Sequence, residues 1–216
     1  MKQRVITAVV GQFGHPRGIG GWLAGRVMAH RSSNKQRTLW VVSLLDVQAT
    51  DRVLEIGFGP GLAIAELSRR ATRGTVYGID HSEVMLRQAT KRNACAIRAQ
   101  RVKLVQATVE QLPSFGEPLD AVLAVNSLGF WPEPAQRLVE LRTVLRPGGR
   151  IAVATQPRCP GATRETSAQA AREIENLLHQ AGFSQTRVET LGLNPPVVCV
   201  LASAAAGPPH RGGGPA

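Results

Sequence analysis

Acidic residues are scarce in this chain of 216: 15 Asp and Glu stand against 26 Lys and Arg, giving a formal charge of +11. A balance this basic is compatible with a nucleic-acid partner. Arginine, however, far outnumbers lysine and is spread over the whole length, which reads as a compositional habit as much as a binding surface. One local excess exists: Arg87, Lys91, Arg92, Arg98, Arg101 and Lys103 follow one another with no acid between them. It fits a solvated helix face and loop better than a polyanion site. Cysteine is equally sparse. Cys95, Cys159 and Cys199 are far apart, odd in number and form no CxxC pair, which argues against a disulfide framework or a thiolate metal site and for reduced thiols in or near the core. The five histidines are scattered too, so no metal is expected. Long apolar runs are missing: nothing approaches the roughly 18–20 residues that span a bilayer. The basic start Met1–Arg4 leads into Val5–Val10, too short for the apolar core of a signal peptide, and Gly11-Gln12-Phe13-Gly14 is a poor cleavage context. The expected location is cytoplasmic.

What is present is one domain's worth of chain with a sizeable core. Its centre is Val53-Leu54-Glu55-Ile56-Gly57-Phe58-Gly59-Pro60-Gly61. A buried strand breaks there into a turn with glycine at alternate positions, and Leu62–Arg70 follows as a helix. Glycine without Cβ permits φ > 0 and lets a ligand lie against bare backbone. Downstream, strands and helices alternate. Gly74–Asp80 is a second strand, and Ser82 caps the next helix with Glu83 in its first turn. Arg101–Gln106 and Asp120–Val125 are the third and fourth strands. Pro132–Leu145 is a helix started by prolines, Arg146-Pro147-Gly148-Gly149 a turn and Arg150–Thr155 the fifth strand. Thr163–Ala181 is an amphipathic helix closed by Gly182, before two strands at Arg187–Leu191 and Val197–Leu201. This pattern predicts an α/β, doubly wound, seven-stranded, mostly parallel sheet with helices on both faces.

Three regions follow. Residues 1–50 form a basic N-terminal helical cap or lid: a glycine-rich loop at 12–21, apolar residues at helical spacing in 22–28, and a second helix from Ser32 or Ser33 to about Leu45 with Leu39, Val42 and Leu45 on its apolar face. Residues 51–203 form the binding domain. Residues 204–216, of Ala, Gly and Pro without apolar period, are expected to be a disordered tail.

Asp80 lies 23 positions after Gly57, at the end of the second strand, where an acid faces the mouth of the first turn and accepts ribose hydroxyls. With Asp80 in place, the chain resembles the class I S-adenosylmethionine-dependent methyltransferases, in particular the type-11 group that includes ubiquinone and menaquinone C-methyltransferases. The resemblance is carried by Val53–Gly61, by Val76-Tyr77-Gly78-Ile79-Asp80-His81-Ser82 with Met85, by Gln111-Leu112-Pro113 before Leu119-Asp120-Ala121-Val122, and by Val144–Arg150. It implies a Rossmann-like sheet whose last strand is antiparallel, and S-adenosylmethionine as the cofactor, with S-adenosylhomocysteine as product. It also implies the site. Glu55 suits a sulfonium and an ammonium; Gly57, Gly59 and Gly61 let the ligand approach the backbone; Asp80 takes the ribose; His81 and Met85 border the adenine. Thr108 stands where the group often has an adenine-binding Asp, with the backbone of Val109 as substitute. Asn126 lies where the methyl group points. The spacing G-x-G-x-G also differs from the dinucleotide fingerprint G-x-G-x-x-G.

The expected reaction is in-line methyl transfer to a small, apolar molecule, held by Phe130 and Trp131 at the site rim. No confident base emerges: His15, in the glycine-rich loop, is the first candidate, ahead of His30 and Glu133. Asn194-Pro195-Pro196-Val197 falls too late in the chain for the motif of nitrogen-methylating relatives and reads as a turn. The alternatives are an RNA methyltransferase, a lipid-head-group methyltransferase and a non-catalytic S-adenosylmethionine-binding protein.

Overall fold

The computed structural model describes residues 32–204. The elements, in chain order, are α1 (Ser32–Leu44), β1 (Arg52–Ile56), α2 (Leu62–Arg70), β2 (Thr75–Asp80), α3 (Glu83–Arg92), α4 (Ala94–Arg98) and β3 (Val102–Gln106), then β4 (Leu119–Val125), α5 (Pro134–Val144), β5 (Leu145–Thr155), α6 (Arg164–Gln180), β6 (Phe183–Leu191) and β7 (Val197–Ala204). The strands form one seven-stranded sheet in the order β3-β2-β1-β4-β5-β7-β6. β3, β2, β1, β4 and β5 run parallel, whereas β7 is antiparallel to both β5 and β6.

Pleating sorts each central strand into two faces. Leu54, Ile56, Val122 and Ile151 pack with Leu138, Leu141, Ile174 and Leu178 of α5 and α6. Val53, Leu123 and Ala152 pack with Val41 and Val42 of α1 and Leu45 just after it, Ile64 and Leu67 of α2, and Val84 and Ala89 of α3. Glu55, two residues after Val53, therefore shares the face covered by α1 and α2. Strand order reverses between β1 and β4, so the carboxyl ends of these strands open a crevice there.

Several boundaries differ from the sequence reading for identifiable reasons. Pro-Gly-Gly chemistry predicts a turn at 146–149, but β5 starts at Leu145, opposite Leu119, and absorbs the glycines in a register shift. The preceding helix starts at Pro134, because Glu133 takes a left-handed conformation (φ 46°) that ends the chain reversal before it. β6 and β7 are longer than their apolar runs because they pair with each other across a bulge between Ser184 and Arg187. On α1, Leu39 points outward, while Val41 and Val42, with Leu45 just after the helix, are buried, as are Asn34, Arg37 and Thr38. Cys95 and Cys159 are exposed and only Cys199 is in the core, where burial pushes its thiol up to about 12. Among the described residues no helix is long and apolar enough to cross a membrane.

The basic run at 87–103 is largely tied into the fold. Arg87 pairs with Glu83 at 2.6 Å, Arg92 donates to the Pro60 carbonyl at 2.8 Å and Arg101 to the Ser68 carbonyl at 2.6 Å. Lys103 lies 5.6 Å from the centre of the Tyr77 ring.

Candidate active site

A cavity of about 820 Å³ opens at the carboxyl ends of β1, β2, β4 and β5. Glu55, Gly57, Gly59, Asp80, His81, Met85, Thr108, Val109, Asn126, Phe130 and Trp131 all line it. The residues picked from separate motifs thus meet in one volume.

The glycines in the β1–α2 turn serve three different purposes. All have positive φ, at 75°, 52° and 77° for Gly57, Gly59 and Gly61. A Cβ on Gly57 would lie 2.7 Å from Ser127 Cβ, so this residue lets the turn close on the end of β4. A Cβ on Gly61 would lie 2.8–2.9 Å from Ala89. Gly61 therefore admits α3, a packing demand separate from the ligand contact expected of it, and it is buried. Gly59 alone faces open space, with nothing within 4 Å of a Cβ placed there.

Asp80 is buried, and its two oxygens fix the rim of the turn. Oδ2 accepts from Gly59 N–H at 2.8 Å and Oδ1 from Ser82 N–H at 2.9 Å. Burial raises its proton affinity, and the two backbone donors and the nearby His81 oppose that rise. Ser82 in turn accepts from Met85 N–H at 3.4 Å as the cap of α3, which seats the buried Met85 against the cavity. His81 is exposed, its Nδ1 3.8 Å from Asp80 Oδ1.

Glu55 is 3% exposed. Its carboxyl takes a backbone hydrogen bond from Ile64, while Oε2 has no partner. Burial first, and the Asp80 carboxylate second, push it well above the ordinary carboxylate range. A buried, half-satisfied acid is costly unless something cationic meets it.

Across the cavity, α1 supplies a group the sequence reading missed. Arg37 is 5% exposed. Its Nη1 donates to Gln156 Oε1 and its Nη2 to Asn34 Oδ1, both at 2.7 Å, while Nε has no partner. No carboxylate neutralises it in these contacts. Burial, with the charge of Arg158 second, pulls the guanidinium down to about 10. A signal did exist: Asn34, Arg37, Thr38, Val41, Val42 and Leu45 share one helical face, and an arginine on a buried face calls for an anion.

Beyond Asn126 the cavity changes character. Asn126, at φ 54°, accepts from Gln156 N–H at 2.8 Å and so ties the ends of β4 and β5 together. The wall past it is mostly apolar, formed by Leu128, Phe130 and Trp131 from the β4 side and by Ile174 and Leu177 of α6, with Glu173 of the same helix beside them. The aromatic pair divides: Phe130 is 58% exposed, whereas Trp131 is largely in the core. Glu133 is exposed and does not line the cavity. His15 and His30 lie outside the described residues. The segment at 194–197 lends backbone carbonyls only: Pro195 accepts from Gln156 Nε2 and Pro196 from Ser167 Oγ. No cluster of three or more metal-ligating side chains occurs among the described residues.

The cavity fits a zwitterionic nucleoside ligand. It is lined by the buried acid Glu55, the buried Arg37, bare backbone at Gly59 and the acid Asp80 at the β2 end.

Residues 53–149 match a family model described as a methyltransferase domain. An uncharacterized methyltransferase of Bacillus subtilis, YdaC, is 29% identical over 83% of this chain and 97% of its own length. A ubiquinone biosynthesis O-methyltransferase of Alkalilimnicola ehrlichii is 32% identical over 59% of this chain, a match that spans only 50% of that protein. Among solved structures, the fold is shared with magnesium protoporphyrin IX methyltransferase of Synechocystis, solved with bound S-adenosylhomocysteine, at TM-score 0.62 and 19% identity, over 79% of this chain and 83% of that one.

Proposed function

We propose that this chain carries a class I S-adenosylmethionine-dependent methyltransferase domain and that it methylates a small, largely apolar molecule in the cavity at the ends of β1, β4 and β5. The observation that carries the reading is the two-part cavity: charged and backbone groups at the β1–β2 end, and at the β4–α6 end a mostly apolar wall in which Glu173 is the charged exception on α6. Its volume of about 820 Å³ lies within the roughly 300–1,000 Å³ of small-molecule sites.

When bound, S-adenosylmethionine supplies a methyl group already activated on a sulfonium. The protein's work is then alignment and exclusion of water. Asp80 would hold the ribose hydroxyls while keeping Gly59 N–H in place. Met85, His81, Thr108 and Val109 would border the adenine. Glu55 would face the ammonium of the amino-acid tail, and Arg37, pre-oriented by Asn34 and Gln156, would receive its carboxylate. Phe130, Trp131, Ile174 and Leu177 would hold the acceptor and keep it dry. The expected setting is the cytoplasm, where exposed thiols such as Cys95 and Cys159 stay reduced.

The Arg37 assignment has its own test. Arg37→Met is expected to weaken S-adenosylhomocysteine binding about 10–100-fold, the scale of a lost charge-assisted pair. Binding of 5′-methylthioadenosine, which lacks the amino-acid tail, stays within about twofold. Equal loss for both ligands means that Arg37 acts on the fold and not on the tail.

The function is tested by incubating the full chain with methyl-tritiated S-adenosylmethionine and three fractions of cell extract: small organic-soluble molecules, RNA and lipid vesicles. Label is expected in the first. Label in RNA, lost steeply with salt, or in lipid replaces this reading, and binding without label in any fraction makes the protein a non-catalytic binder.

A further inference from the structure

Glu55 and Asp80 face one cavity, and they are not equivalent. Asp80 accepts two backbone N–H bonds, from Gly59 and Ser82, which favour its charged form. Glu55 has one, from Ile64, and among the described residues its Oε2 is the only fully enclosed carboxylate oxygen without a hydrogen-bond partner. Where two acids share a poorly solvated site, one ionises far more readily than the other. The donor count makes Asp80 the acid that ionises first and Glu55 the one that holds a proton more readily.

Other charges around Glu55 do not alter this assignment. From α1, Arg37 is turned toward Asn34 and Gln156. After β2, His81 lies beside Asp80. On α2, Glu66 is tied to Arg69 and Arg70, and the facing end of β4 offers the neutral Asn126 and Ser127.

Resting on the cofactor reading above, we propose that Glu55 is a proton-linked sensor of the ligand's ammonium group: it is the neutral acid in the ligand-free protein and releases its proton to solvent when an ammonium is seated against it. The balance is one O–H bond broken, one proton to buffer, and one carboxylate left paired with the ammonium. Because the ligand favours the ionised form, affinity for any ligand with the amino-acid tail rises with pH. The slope approaches about tenfold per unit between the ionisation of the loaded protein and that of the free one. Adenosine ligands without the tail escape this dependence.

The experiment is calorimetric titration of the full chain at pH 7 in two buffers of different ionisation enthalpy. S-adenosylhomocysteine is expected to release a substantial fraction of a proton, up to about one, and 5′-methylthioadenosine none. In Glu55→Gln the release disappears and the pH slope flattens. Binding of 5′-methylthioadenosine by that variant, unchanged from wild type, shows that the pocket is intact. Any contribution of His81 persists in the variant and cancels in the difference. Buffer-independent heat for S-adenosylhomocysteine in the wild type, or equal proton release in Glu55→Gln, overturns the proposal while leaving the cofactor reading in place. Failure of S-adenosylhomocysteine to bind wild type removes both.

Discussion

Asp80→Ala is expected to weaken S-adenosylhomocysteine binding by about 3 kcal/mol, roughly a hundredfold, in a protein that still folds. Two effects combine. The carboxylate is the proposed acceptor for the ribose hydroxyls, and hydrogen bonds to a charged group contribute about 1.5–3 kcal/mol. It also fixes Gly59 N–H at 2.8 Å, so its removal loosens the turn against which the ligand would lie. Asp80→Asn keeps an acceptor oxygen and the shape, and is expected to fall between wild type and alanine. The fold survives because the core on either face of β2, through Val76, Tyr77 and Ile79, does not depend on the carboxylate. Isothermal calorimetry with a thermal melt of each variant checks both halves; an unchanged Kd in Asp80→Ala removes Asp80 from the site.

The glycine turn gives the second large effect, a separation of binding from folding at two positions two residues apart. Gly59→Val places a side chain in open space at φ 52°. It costs roughly 1–2 kcal/mol for a left-handed residue without Cβ freedom, leaves the protein folded and abolishes ligand binding. Gly61→Val, at φ 77°, brings the same strain and also drives Cβ to within 2.7–2.9 Å of Asn93 and Ala89, including the Ala89 backbone. α3 would have to move away from α2, opening the contact between Ile64, Leu67 and Ala89, so the variant is expected to lose the cooperative thermal transition of the wild type. Equal melting of the two variants contradicts the division of labour among the glycines.

The parts of this molecule legible in its sequence are those governed by short-range chemistry. β1, its turn and α2 were readable to the residue, because an apolar strand, alternating glycines and an amphipathic helix follow one another without interruption. The cap at Ser82 and the stop at Gly182 have the same local character. What escaped depends on contacts across the chain. Arg146-Pro147-Gly148-Gly149 has the composition of a turn, yet pairing of Leu145 with Leu119 draws it into β5. Leu39 looks like a core residue until α1 is placed on the sheet with Arg37 and Val41 inward. The bond from Arg37 to Gln156 joins residues 119 positions apart, and no local pattern announces it. Gly57, Gly59 and Gly61 look alike in the sequence; only the positions of Ser127 and Ala89 tell them apart.

The sulfonium-donor assignment is tested most directly by titrating the full chain with S-adenosylhomocysteine and, in parallel, with NAD in a calorimeter, using Gly59→Val as the control. The expected result is one S-adenosylhomocysteine per chain with a Kd in the micromolar range, no heat from NAD, and no binding by the variant. Binding of NAD in place of S-adenosylhomocysteine, or undiminished S-adenosylhomocysteine binding by Gly59→Val, contradicts it.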